Sequence, residues 1–292
     1  MAKAPPLLVI VGETASGKTG LAIDLAKELN GEIICADSWT VRREVNIGTA
    51  KPKAEERATV PHHLLDIVGP EEAFTAAKFK DLANQSIEDI TNRGKLPILV
   101  GGTGLYIDGL LYDYSFLTES NTAIREELNA MTTEDLIVMI NGLDLDTSGI
   151  DMQNKRRLIR RIETNGQQPE RKSIRENTVI FGIKTERNEL KGRIEKRVDS
   201  MINDGLEQEV SALADQYGWD CEALKGVGYS QWKDYFLGSQ TLSETRQKIV
   251  KATLDLAKRQ RTWFKRNKSI HWLELPINRE RTVALITTSL DT

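Results

Sequence analysis

Apolar residues in this 292-residue chain fall into short continuous runs and longer helical-period stretches, and the alternation of the two predicts the architecture. Residues 7–11 (Leu-Leu-Val-Ile-Val) are β-branched and apolar, as in a buried parallel strand, and stop at Gly12. Leu21, Leu25 and Leu29 then mark one face of a helix. Residues 31–37 read as a second strand ending in Asp37, and residues 64–68 as another, reached through a Pro-containing loop. A helix is predicted over 75–91, capped by Thr75, with Phe79, Leu82, Ala83, Ile87 and Ile90 on one side. It leads to a strand at 96–100.

Past residue 117 the strand-like runs vanish until 178–183. The interval is helical: Leu128, Leu136, Ile137 and Ile140 mark one or two helices, and Leu158, Ile159 and Ile162 another whose Arg156/Arg160 and Arg157/Arg161 pairs lie on exposed flanks. After 183 come a helix carrying Leu190, Ile194, Val198 and Ile202, further helix, a basic helix near 244–267 and a last strand at 270–275. Strands alternating with helices predict an α/β fold, a parallel sheet core flanked by helices. The core is expected to span 1–116 plus 178–292, interrupted by a helical insertion at 117–177.

The chemistry gathers at predicted strand ends. Gly12 to Thr19 fits G-x-x-x-x-G-K-[ST], the phosphate loop. Glycines let successive backbone N–H groups point inward, the helix N-terminus adds positive potential, Lys18 reaches phosphate oxygens and the Thr19 hydroxyl suits Mg²⁺. A second glycine loop, Gly101-Gly102-Thr103-Gly104, follows the strand at 96–100. Ligands of open parallel sheets sit beyond the carboxyl ends of strands, so Asp37 and Ser38 should face the same crevice. Three roles compete for Asp37: metal ligand, general base, or local helix cap. His62 and His63 lack a third ligand nearby and read as loop or strand-start residues.

Composition narrows the class. No apolar run is long enough to span a membrane, the first strand begins too early for a signal peptide, and only Cys35 and Cys221 occur, with no metal-binding spacing. A cytoplasmic protein is expected. The formal net charge of −3 speaks against a generic nucleic-acid binder, yet the cations are segregated. Lys155, Arg156, Arg157, Arg160 and Arg161 form one cluster, and nine Lys or Arg face the single acid Asp255 between 246 and 268. Either cluster could be a solvated helix face or a field for a polyanion.

The order GETASGKT (from Gly12), ADS (Ala36), IGTAKP (Ile47), VPHHLLDI (Val60), GGTGLY (Gly101), NKRRLIRRIE (Asn154), GVGY (Gly226) and KRQRTWFKR (Lys258) closely resembles the tRNA dimethylallyltransferase (isopentenyltransferase) family over nearly the whole chain. The resemblance implies a P-loop core and transfer of a dimethylallyl group from dimethylallyl diphosphate to N6 of the adenosine 3′ to the anticodon, in tRNAs reading codons that start with U. It further implies Mg²⁺ as cofactor and a monomer that grips the anticodon stem-loop. Asp37 matches the base, with Lys18 and Thr103 as further catalytic positions. Gly12, Thr14, Ala15, Ser16, Gly17, Lys18, Thr19 and Lys225 match donor-diphosphate positions, with Thr19 on the metal. Asp37, Ser38, Trp39, Thr40, Thr103, Arg125, Lys155, Arg156, Arg157 and Arg160 match tRNA-binding positions. An exocyclic amine must lose a proton as its new bond forms, which suits a carboxylate at position 37.

There are departures. Glu13 stands where Pro is usual, Trp39-Thr40-Val41-Arg42 replaces a segment with Gln and Tyr, Lys225 replaces Arg, and Phe74 and Lys78 replace Tyr and Asp. The absence of a zinc-finger segment after the last predicted strand suggests the bacterial type. Rival readings of the same loops are a P-loop small-molecule kinase, an adenylate isopentenyltransferase acting on free nucleotide, and a P-loop RNA-binding regulator.

Overall fold

The computed structural model describes residues 4–117, 122–148 and 150–290. In chain order its elements are β1 (Leu7–Gly12), α1 (Lys18–Glu28), β2 (Gly31–Ala36), α2 (Ala54–Thr59), β3 (His62–His63), α3 (Ala76–Asn92), β4 (Leu96–Gly101) and α4 (Gly104–Leu111). Next come α5 (Thr122–Ala130), α6 (Thr133–Gly142), α7 (Lys155–Glu163), β5 (Thr178–Lys184), α8 (Arg187–Asn203) and α9 (Leu206–Tyr217). After a short 3-10 helix, Glu222–Lys225, the chain ends in α10 (Lys233–Phe236), α11 (Leu242–Phe264), β6 (Ile270–Glu274) and α12 (Arg279–Ser289).

All strand pairings are parallel, in the order β3-β2-β4-β1-β5-β6. β1 lies between β4 and β5, and its apolar run is wholly buried because both faces are covered. The register aligns the carboxyl ends: Gly101 of β4 sits opposite Val11 of β1 and opposite Ala36 of β2. A Cβ on Gly101 would fall 2.0 Å from the Ala36 carbonyl oxygen, so only glycine lets these two strand ends approach. The loops after β1, β2 and β4 therefore open at one edge.

Two core clusters support that edge. One packs α1 and the α12 residue Ile286 against Leu8, Ile10, Ile33, Ile98 and Phe181 of the sheet. The other joins Leu190, Ile194 and Val198 of α8, Val210 of α9 and Ile249 of α11 to the buried Tyr229 and Trp232.

The chain divides into two compact units, Met1–Leu111 with Ile174–Thr292, and Tyr112–Ser173. The division falls a few residues before the 117 and 177 read from sequence. The second unit has its own core of Leu128, Leu136, Ile140, Leu158 and Ile159.

Three local readings need correction. The strand expected at 64–68 is instead the two-residue β3, because Leu64 and Asp66 adopt positive φ (61° and 57°), which no strand accommodates. The strand at 270 is not the last element. α12 follows it, capped by the Asn278 side chain, which accepts the Arg281 N–H. Arg161 is 7% exposed and donates to the Gly166 carbonyl, so it closes the end of α7 from inside and does not lie on a solvated flank.

Candidate active site

The loop after β1 is bent by Ala15 (φ 61°) and Gly17 (φ 94°), both left-handed. Gly17 is the N-cap of α1 and brings no side-chain cap, so the first-turn amides of that helix are left for a ligand. Ser16 is buried, its hydroxyl has no partner, and it sits where a Cβ on Gly12 would come within 2.8 Å of it. Lys18 Nζ donates to the Glu13 carbonyl at 3.1 Å, and Ser16 N donates to the same oxygen at 3.2 Å. Burial pulls the Lys18 ammonium down to about 8, against the opposing pull of Asp37. A cation destabilised by burial is one that an incoming anion stabilises.

Asp37 leaves the end of β2 with its Oδ1 accepting from Trp39 N (2.8 Å) and Thr40 N (3.3 Å). The cap role expected of it is thus realised on a turn, since no helix follows. These bonds use Oδ1 and leave Oδ2 for a substrate. Thr103, in the loop after β4, accepts the Ser38 N–H at 3.1 Å. Thr40 is buried and its hydroxyl has no partner. The Trp39 ring lies over Gly226, where a Cβ would meet it at 3.0 Å. Arg42 stands where a Tyr was expected by resemblance, and its buried guanidinium donates to the carbonyls of Gly69, Pro70 and Glu72.

Several of these residues line a cavity of about 480 Å³. Its wall holds Thr14, Ala15, Gly17, Lys18, Thr19, Asp37, Trp39 and Thr40 from the expected set, with Cys35, His62 and Val100 farther along. Burial pushes the Cys35 thiol up to about 12, so it stays protonated. α8 and α11 supply Arg193, Ile194, Arg197, Met201 and Gln260, and Gly48, Thr49, Val227 and Gly228 come from loops. Sequence reasoning missed Arg193, Arg197, Gln260 and Arg261. Arg193 and Arg197 are four apart, flanking the apolar Ile194 and Val198, and that mixed face was the available signal. Arg193 donates to the Ser16 carbonyl at 3.4 Å, and burial lowers the Arg197 guanidinium while Asp37 opposes the shift.

Lys225 is not among the residues of the cavity wall: it is exposed and ion-paired with Glu222 in the short 3-10 helix. In the second unit Arg125 reaches both oxygens of the buried Glu163 (3.1 and 2.9 Å), and Arg160 approaches the same carboxylate at 3.5 Å. Lys155 donates to the Asn129 carbonyl, while Arg156 and Arg157 are exposed. Among the described residues, no group of three His, Cys, Asp or Glu side chains is placed to hold a metal, and no helix is long and apolar enough to cross a membrane.

The parallel sheet with a phosphate loop at its edge makes this a P-loop protein whose cavity offers a cation, a carboxylate and an apolar extension. A family model described as IPP transferase matches residues 40–267, and the chain belongs to that family. A tRNA dimethylallyltransferase of Pediococcus pentosaceus is 43% identical over 283 residues, covering 92% of this chain and 91% of that one. One from Anoxybacillus flavithermus is 41% identical over 280 residues, covering 92% and 90%. The crystal structure of a tRNA isopentenylpyrophosphate transferase from Bacillus halodurans superposes with a TM-score of 0.75 at 37% identity, covering 98% of this chain and 95% of that one. A eukaryotic dimethylallyltransferase acting on tRNA shares the fold, with a TM-score of 0.82 at 23% identity over 99% and 81% of the two chains.

Proposed function

We propose that this chain transfers a dimethylallyl group from dimethylallyl diphosphate to N6 of the adenosine 3′ to the anticodon, in tRNAs that read codons starting with U. The observation that carries the reading is the meeting of Lys18 and Asp37 in one cavity, beyond the carboxyl ends of β1 and β2 on either side of β4, in a chain of the IPP transferase family. The bond between the prenyl C1 and the diphosphate oxygen breaks as N6 forms its bond to C1. Asp37 Oδ2 takes the N6 proton, its orientation fixed by the amides that hold Oδ1. Charge developing on the leaving diphosphate is met by the loop amides and Lys18, with Arg193 and Arg197 facing from α8. The apolar wall of Ile194, Val198, Met201 and Ile249 excludes water from the allylic carbon.

The donor set fits Mg²⁺ of the kind that arrives with a diphosphate. Thr19 offers one hydroxyl, and among the described residues no group of three His, Cys, Asp or Glu side chains cages an ion, which suits one that keeps its waters and takes phosphate oxygens. Bound there through Thr19, Mg²⁺ would neutralise the leaving group.

A flexible anticodon loop presents its adenosine at lower cost than a duplex, and Ser38, Trp39, Thr40 and Thr103 would receive it. Arg156 and Arg157 are the solvent-facing cations of α7 available to tRNA phosphates, while Arg125, Lys155 and Arg160 shape the helices beneath them. The chain would work as a cytoplasmic monomer.

Incubation with radiolabelled dimethylallyl diphosphate, Mg²⁺ and a choice of unmodified tRNA, AMP or ATP tests the reading. Label in tRNA is expected. Label in free nucleotide alone would make the protein an adenylate isopentenyltransferase, and phosphate transfer from ATP would make it a kinase.

A further inference from the structure

A carboxylate inside a phosphate loop has the wrong sign for an anion site, yet Glu13 stands there, 4% exposed. Arg261 of α11 meets it with both arms of its guanidinium: Nη2 donates to Oε2 at 2.9 Å, and Nε donates to Oε1. The preceding residue, Gln260, accepts the Thr14 N–H on its Oε1 at 2.7 Å and donates from Nε2 to the Gly102 carbonyl at 3.1 Å. The Glu13 carbonyl in turn orients Lys18 Nζ. One peptide unit is thus gripped through its side chain, its carbonyl and the next amide.

We propose that Glu13 and Arg261 are positioning residues whose ion pair, beside the Gln260 bridge, locks the phosphate loop onto α11 and holds the Lys18 ammonium at the donor diphosphate. This rests on reading the cavity as a prenyl diphosphate site. A bidentate pair of this kind is both strong and directional, so it fixes the loop and cancels the charge of Glu13. Losing Arg261 leaves the buried carboxylate of Glu13 unpaired, whereas losing Glu13 leaves a half-buried guanidinium without its partner. The charged groups facing Lys18 are Glu13 in the loop, Asp37 after β2 and Arg197 on α8, with Arg261 acting through Glu13. Removing Glu13 therefore makes the surroundings of Lys18 more positive, and removing Arg261 makes them more negative.

The test is calorimetric binding of inorganic pyrophosphate to the full chain at one neutral pH, for the unaltered protein, Arg261→Gln, Arg261→Lys and the double variant Glu13→Gln with Arg261→Gln, with thermal melts alongside. Arg261→Gln is expected to weaken binding about tenfold. Adding Glu13→Gln to it should cost nothing further, because the two partners act as a unit. Arg261→Lys keeps the charge but not the two-armed geometry and is expected to bind more weakly as well. A merely structural pair would lower the melting temperatures and leave the affinity of the folded protein unchanged, and that outcome, in Arg261→Lys alone should Arg261→Gln not fold, overturns the proposal. If the unaltered chain does not bind pyrophosphate, the diphosphate reading of the cavity fails, and the positioning role with it.

Discussion

Thr103 Oγ1 accepts the Ser38 N–H at 3.1 Å and lies 3.5 Å from Ser38 Oγ, a link across 65 residues of sequence. It ties the loop after β4 to the turn after β2, and Asp37 is the residue immediately before. The turn is also fastened from within by Asp37 Oδ1. The proposed base is therefore part of the scaffold that orients it, and substitutions at position 37 must be read with both roles in mind.

Asp37→Asn separates them. An Asn Oδ1 still accepts the Trp39 amide, so the melting temperature and tRNA affinity should hold, while kcat falls by roughly 10²–10⁴ through loss of the proton acceptor. An Asn variant with full kcat would remove the carboxylate from the mechanism. Asp37→Ala should lose the turn as well as the activity.

The pH dependence follows from Lys18. In the free site its ammonium is held near 8, so it is protonated below that pH and neutral above it. The kcat/KM for the donor should fall as pH rises past this value, with bound diphosphate pushing the fall in kcat higher. Lys18→Ala should lower donor affinity and abolish the limb. The Cys35 thiol, pushed to about 12, cannot be its source.

In the insertion, the exposed and the braced arginines should behave differently. Changing Arg156 and Arg157 to Gln should raise the KM for tRNA and flatten the plot of log K against log salt by up to about one unit per phosphate contact, with no change in donor KM. Arg125→Ala, which strips Arg125 Nη1 from both oxygens of the 3% exposed Glu163 side chain, should instead destabilise the insertion by about 2 kcal/mol, visible in its own melting or exchange behaviour. Equal salt slopes before and after the Gln changes would make α7 an ordinary solvated face.

Lys225→Ala should leave the donor KM unchanged, because the side chain pairs with Glu222 outside the cavity. A rise in donor KM would place it in the diphosphate set.

Far from the cavity, the carboxylate of Glu32 at the start of β2 is 1% exposed and bonded by Arg93 Nη2, Lys95 Nζ and His63 Nε2, each at 2.7 Å. Its hydrogen bonds to Arg93 hold it far below the usual carboxylate range. A pKa lowered by folding means the unfolded chain binds this proton more readily, so the stabilisation is complete above the ordinary glutamate range and lost on acidification. Glu32→Gln should cost about 3 kcal/mol near neutrality, and the difference in melting temperature should shrink below roughly pH 4.

Much of the geometry was legible because short apolar runs and glycines announce strand ends, and parallel strands bring those ends to one edge. That logic led to the phosphate loop, Asp37 and the glycines at 101–104. It could not reach Gln260 and Arg261, which meet residues 246 and 248 positions away and sit in a stretch whose charge pattern reads as solvated. The same charge pattern hid the inward turn of Arg161 and the bracing of Arg125 and Arg160. α4 escaped notice because Gly-Leu-Tyr-Ile-Asp-Gly-Leu-Leu is apolar nearly all round and shows no helical period. β3 was displaced because two left-handed residues cannot be read from Leu64 and Asp66.

The insertion leaves and rejoins the core through paired backbone: Arg175 N donates to the Leu111 carbonyl at 2.7 Å, Lys172 N to that of Tyr112 at 2.7 Å, and Ser115 N to that of Glu170 at 3.0 Å. The two cut ends of the core thus stand a single hydrogen bond apart. Such a junction is a graft point, since a turn of a few residues could close it and another domain could be spliced in without disturbing the register of β1 against β5. The phosphate loop and Asp37 both belong to the first unit, so such an exchange would leave them as they are.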